Sequence, residues 1–143
     1  MVELYEEGIK REQLERVALD VRKEVTSHLK RMNLRESCLY LFFGECGYAA
    51  WKVVGRLKRE MPDSKIKIYS FNKGFHYVVG IGDNFENSWK IDPVLRRDNG
   101  NLIDNVVISP YEEYPLAHFT QPKVFALENF KYFVRKFNEI ARN

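Results

Sequence analysis

Phe75-His76-Tyr77-Val78-Val79-Gly80-Ile81, then Gly82-Asp83-Asn84-Phe85-Glu86-Asn87, then Ser88-Trp89-Lys90-Ile91-Asp92-Pro93 is the stretch whose reading decides the fold. Its first part is dense in β-branched and aromatic residues and its middle in turn formers. Its last part is a short strand stopped at Pro93, which has no N–H to give to a central ladder. The whole predicts a β-hairpin. Upstream, Ile66 and Ile68 alternate with polar neighbours between Lys65 and Phe71, and Asn72-Lys73-Gly74 supplies a further turn. The middle of the chain is therefore expected to be an antiparallel sheet. Pairing the hairpin arms symmetrically about Asn84 matches His76 with Asp92, Val78 with Lys90 and Gly80 with Ser88. Residues directly opposed in such a ladder have Cβ atoms about 5 Å apart, within reach of a carboxylate–imidazole hydrogen bond.

Helical periodicity flanks the sheet. From Glu12 to Met32 the apolar positions Leu14, Val17, Ala18, Val21, Val25, Leu29 and Met32 recur every three or four residues, which predicts one amphipathic helix. A second run, Ala49, Ala50, Val53, Val54, Leu57 and Met61, predicts a helix from Gly47 to Met61 that Pro62 ends. Leu127, Phe130, Phe133, Val134, Phe137 and Ile140 predict a third near the end of the chain, with its phenylalanines packed on the core. Between the first two helices, Ser37 to Phe43 is an apolar run that fits either a buried strand or a packed helical turn. Residues 102–108 fit a further strand and 111–122 an irregular stretch broken by Pro115 and Pro122. The fold class is α+β: a helix packed on a small antiparallel sheet, with additional N- and C-terminal helices, in a single domain over residues 1–143.

The composition narrows the function classes. The 143 residues are 45% hydrophobic and 30% charged, enough for one buried core. Acidic and basic residues are interleaved and the net charge is only +3, the pattern of a solvated surface rather than a nucleic-acid footprint. A basic cluster from Arg22 through Lys23, Lys30 and Arg31 to Arg35 is the one segment suited to phosphate. Neither a signal-peptide pattern nor an apolar stretch long enough to span a bilayer occurs, so the expected location is cytoplasmic, away from membranes. Two cysteines, Cys38 and Cys46, are too few for a disulfide framework and are expected as free thiols.

Three residues have the chemistry of a nucleophilic site. A thiol attacks as the thiolate, which unpaired N–H groups at a helix N-terminus favour, and Cys46 precedes Gly47 and the Ala49-Ala50 helix. A catalytic thiolate also needs a base that later protonates the leaving group, a role for histidine when a third group fixes its tautomer. His76 has the better context of the three histidines, because Asp92 is expected across the hairpin. His28 falls near the buried stripe of the first helix, and His118 in the irregular stretch. Tyr48 and Trp89 flank the trio and are expected to wall a substrate cleft.

The order Gly44-Glu45-Cys46-Gly47-Tyr48-Ala49 before a helix, then Phe75-His76-Tyr77-Val78-Val79, then Trp89-Lys90-Ile91-Asp92-Pro93, resembles the transglutaminase-like branch of the papain-like cysteine fold. In that family the first motif carries the nucleophile, the second the histidine, and the third the aspartate before a proline. The resemblance spans Phe43 to Val94, about the middle third of the chain, and assigns these roles to Cys46, His76 and Asp92. It implies a cysteine-dependent hydrolase or acyl-transferase (peptidase, glutamine deamidase or transglutaminase) that forms a thioester on a protein or peptide substrate. The glutamine that papain-like proteases place ahead of the cysteine has no counterpart among Tyr40, Leu41 and Phe43. The oxyanion donors expected instead are the backbone N–H of Cys46 and a side chain such as Tyr40 or Asn33. The mechanism requires no cofactor, and no glycine-rich phosphate loop or paired metal-ligand spacing is present. Two other classes fit the residues: a non-catalytic protein-binding module on the same fold with Cys46 buried, and a nucleic-acid-binding protein using Arg22 to Arg35.

Overall fold

The hairpin forms, in a register shifted from symmetry about Asn84. A computed structural model describes residues 11–27, 34–71, 76–85, 87–95, 106–109 and 123–125, with Lys131, Tyr132, Arg135 and Glu139; for residues 27, 34–43 and 123–125 it describes the backbone. Strands β2 (His76–Gly82) and β3 (Ser88–Asp92) pair antiparallel as Val79–Ile91, Gly80–Lys90, Ile81–Trp89 and Gly82–Ser88. The turn is thus centred on Phe85, and continuing the register puts Asp92 opposite Val78 rather than His76.

Phe85 is the physical reason for the shift. Its ring is buried inside the turn, edge-on to Tyr69 at 5.0 Å and to Phe71 at 5.6 Å between centroids. The fully buried Lys90 holds it there: its ammonium donates to the carbonyls of Phe85 and Ser88 and stands 4.3 Å over the Phe85 ring. A one-residue slip would have exchanged the faces of the strand. The actual change moves each partner by two, so His76 and Asp92 remain on one face as diagonal neighbours rather than opposed ones. Lys90→Met removes both charge-assisted hydrogen bonds while keeping the bulk. We expect it to cost about 2 kcal/mol of unfolding free energy, read from the urea midpoint.

Strand β1 (Ile66–Phe71) continues the antiparallel sheet on the far side of β2, from Ile66–Ile81 to Phe71–His76. Two short strands, β4 (Val107–Ser109) and β5 (Lys123–Phe125), pair with β3 and β1 to complete the order β4-β3-β2-β1-β5. β4 falls at the end of the predicted 102–108 strand, and β5 was not expected from the sequence.

Helix α1 (Arg11–Ser27) buries Leu14, Val17, Ala18, Val21 and Val25, the predicted stripe; His28, Leu29 and Met32 lie outside the described residues. Helix α2 (Leu34–Glu60) contains both the ambiguous 37–43 run, which is helical, and the predicted second helix, joined through Gly44. α1 packs against α2, β3 and β4, and α2 against β1 and β2. The main core between helices and sheet joins Val53 and Leu57 of α2 to Ile68, Val79, Ile81 and Ile91. On the opposite side of the sheet Tyr69, Phe71, Val78 and Phe85 form a second cluster. Exposed ion pairs, Arg16–Glu60 at 2.6 Å and Arg56 with Asp20 and Glu24, tie the outer edges of the two helices together. Such pairs orient more than they stabilise. Lys131, Tyr132, Arg135 and Glu139 have helical backbone, as predicted near the end of the chain; the phenylalanines of that segment lie outside the described residues. Among the described residues the architecture is α+β, with helices α1 and α2 on one face of an antiparallel sheet.

Candidate active site

Gly44 sets the position of the thiol. Its backbone, φ 74° and ψ −179°, lies in a region open essentially to glycine, and it breaks α2 so that a helix restarts immediately after it. Cys46 then stands in a first helical turn, where backbone N–H groups and the macrodipole face outward from the helix end. An added Cβ at Gly44 would meet nothing within 4 Å, so a substitution there is opposed by backbone strain alone. Gly44→Ala is expected to cost about 1–3 kcal/mol. It should also slow alkylation of Cys46, because the chain relieves that strain by shifting the start of the helix.

His76 and Asp92 meet beyond the last rung of the β2–β3 ladder. His76 Nε2 and Asp92 Oδ2 are 2.5 Å apart, and both side chains are buried, with 10% and none of their surface exposed. The other carboxylate oxygen, Oδ1, accepts the N–H of Val94 at 3.1 Å, an Asx-type turn closed across Pro93. The aspartate before a proline is thus locked from one side by its own backbone and presents its second oxygen to the imidazole. The diagonal relation is wider than direct opposition, and the length of the two side chains spans it.

Cys46 completes the group. It is half-buried, carries a free thiol and packs against the main core, and it lies close enough to His76 to help raise the pKa of the ring. With Nε2 engaged by Asp92, Nδ1 is the ring nitrogen left for the sulfur. Burial disfavours the charged imidazolium. The Asp92 charge and hydrogen bond together with those of Cys46 outweigh it and raise the pKa of His76 from 6.5 to about 10. Tyr77, beside His76 in sequence, has its phenol pushed up by burial and by the Cys46 charge.

The trio read from the sequence is therefore brought together, while the two cleft residues are not in a cleft. Tyr48 is wholly buried and Trp89 is 5% exposed, and both belong to the main core. Around Tyr48 the helix is buried on every side, Gly47, Ala49 and Ala50 included, so no open face remains for it. Strand alternation puts Trp89 on the sheet face opposite that of Asp92, toward the helices, with the Arg11 guanidinium 5.9 Å from the ring centroid. The parity of positions 89 and 92 already carried that signal. Of the proposed oxyanion donors, Asn33 and the Tyr40 side chain lie outside the described residues. Tyr77 is a further group that feels the Cys46 charge and was not singled out from the sequence; its place next to His76 is the signal that was available.

Among the described residues no group of three or more His, Cys, Asp or Glu side chains is arranged to hold a metal ion, and no helix is long and apolar enough to cross a membrane. Comparison of the chain with protein-family models, with curated proteins and with solved structures finds no match.

Proposed function

We propose that Cys46, His76 and Asp92 form the catalytic triad of a cysteine-dependent hydrolase or acyl-transferase that acts on an amide bond. The observation that carries the reading is one buried imidazole 2.5 Å from a carboxylate at Nε2, with the Cys46 thiol near enough to raise its pKa as well. A core histidine needs one partner, whereas an acid–base histidine needs this pair. The order and local motifs of the three residues, similar to those of transglutaminase-like enzymes, add to it.

His76 carries its proton at neutral pH, so the nucleophile is a Cys46 thiolate paired with the imidazolium, and it adds to the amide carbonyl to give a tetrahedral oxyanion. The backbone N–H of Cys46, in the first turn after the Gly44 break, is suited to stabilise that charge. The His76 imidazolium gives its proton to the leaving nitrogen, the C–N bond breaks, and an acyl thioester on Cys46 remains. Water or an amine, relieved of its proton by the now neutral His76, then adds to the thioester and expels the Cys46 thiolate, which restores the imidazolium–thiolate pair. Throughout, Asp92 fixes the ring and offsets its positive charge. With water the products are those of peptide cleavage or glutamine deamidation, and with an amine those of cross-linking. We favour hydrolysis of a protein or peptide amide by a single cytoplasmic domain without a cofactor.

The test is to expose a peptide mixture to the protein and to its Cys46→Ala variant. New amino termini, released ammonia and incorporation of a tagged amine are then followed by mass spectrometry and colorimetry. One of the three signals should accumulate with the native chain and be missing with the variant. If all three are missing with the native chain, the non-catalytic binding module on the same fold becomes the better reading.

A further inference from the structure

On the outer face of α2 a groove of about 350 Å³ is lined by Trp51, Lys52, Gly55, Lys58 and Arg59, with Lys131 from the helical residues near the end of the chain. We infer that this groove is a docking site for an acidic peptide segment of a protein partner. It is separate from the triad: Gly55 follows Cys46 by nine residues, which at 3.6 residues per turn places it about 180° around the helix. The inference therefore stands whether or not Cys46 is catalytic.

Two independent features point to an occupant. The first is charge. Lys58, Arg59 and Lys131 are exposed, and no carboxylate among the described residues pairs with any of them. The adjoining surface differs, because Arg56 and Arg16 there are neutralised by Asp20, Glu24 and Glu60. Lys58, Arg59 and Lys131 thus bring positive charge to a groove lined also by the half-buried Trp51. A short segment mixing carboxylates with apolar side chains fits that pattern. A nucleic-acid backbone calls for a stripe of cations that continues past the groove, and the paired edge does not provide it.

The second is Gly55. A glycine inside a helix costs about 1 kcal/mol relative to alanine. No positive φ requires glycine here, and an added Cβ would meet nothing within 4 Å. The described chain itself gives no steric reason for the missing side chain. A backbone lying across the helix at the floor of the groove gives one, because a Cβ would stand where it approaches.

The experiment titrates the full chain against a fluorescein-labelled oligoglutamate peptide by fluorescence anisotropy at low and at physiological salt. Gly55→Ala and the double variant Lys58→Glu/Arg59→Glu are run beside it, with oligo(dT) as the competing class of ligand. We expect saturable binding that weakens with salt, weakens by about tenfold or more in the double variant, and weakens by a few-fold in Gly55→Ala. Gly55→Ala should melt higher than the native chain, so its weaker binding cannot come from misfolding. No peptide binding at low salt, equal binding by all three proteins, or tighter binding of oligo(dT) with the same sensitivity to the variants would each overturn the inference.

Discussion

Asp92→Ala should lower the unfolding free energy by about 3–5 kcal/mol at neutral pH, the cost of stripping one partner from a buried charged pair. Asp92 is 1% exposed and serves two donors, the imidazole through Oδ2 and the Val94 N–H through Oδ1. Truncation leaves a buried ring without its counter-charge and a buried N–H without its acceptor, so the β3 exit and His76 are disturbed together. Asp92→Asn separates the two contributions. Its amide oxygen can still accept from Val94, so the turn survives and the loss should be smaller, while the imidazole loses the charge that holds its proton. Urea denaturation of the three proteins, with equal slopes, measures both. A change in Asp92→Ala no larger than that of an ordinary surface substitution, within about 0.5 kcal/mol, would mean that the pair is not closed as described.

The second large effect is on pH dependence. In the unfolded chain His76 titrates near 6.5, and in the folded protein at about 10. Between these values the native state holds a proton that the unfolded state has released, so stability falls as pH rises. The contribution is complete below pH 6.5 and lost as pH passes through about 10. At 1.36 kcal/mol per pKa unit it amounts to roughly 5 kcal/mol. Tyr77, whose phenol is pushed above its ordinary 10.0, begins to contribute only above this window. Since other groups titrate there too, the measured quantity is the difference between the native chain and His76→Gln across pH 6.5–10. That difference should shrink as pH rises, whereas a constant difference would place the ring outside the influence of Asp92 and Cys46.

Much of the fold was legible because its cues are local. The Leu14-to-Val25 stripe, the strand before Pro93 and the alternation of Ile66 and Ile68 each state their period within a few residues. The trio was legible for a related reason: its motifs sit at a helix start, a strand start and a strand end, positions that local sequence marks. The register was not legible. Gly82-Asp83-Asn84 advertises a tight turn, yet the burial of Phe85 against Tyr69 and Phe71 is a tertiary contact that recentres it. The His76–Asp92 contact survived because partners moved by two residues, an even step that preserves faces. β5 escaped notice because three residues at a sheet edge have no period of their own; their pairing with β1 defines them. Tyr48 and Trp89 were misassigned by proximity in sequence, where parity and the small residues around Tyr48 were the better guide.

The central claim is that His76 activates the Cys46 thiol, and the most direct measurement is the rate of iodoacetamide alkylation of Cys46 as a function of pH, mapped by peptide mass spectrometry. It is made on the native chain, on His76→Ala and on the urea-unfolded protein. A nucleophilic site predicts that Cys46 of the native chain reacts at neutral pH at least about tenfold faster than in the unfolded chain, and that His76→Ala removes the advantage. A Cys46 that reacts no faster folded than unfolded, or at the same rate with and without His76, would contradict the assignment of the triad.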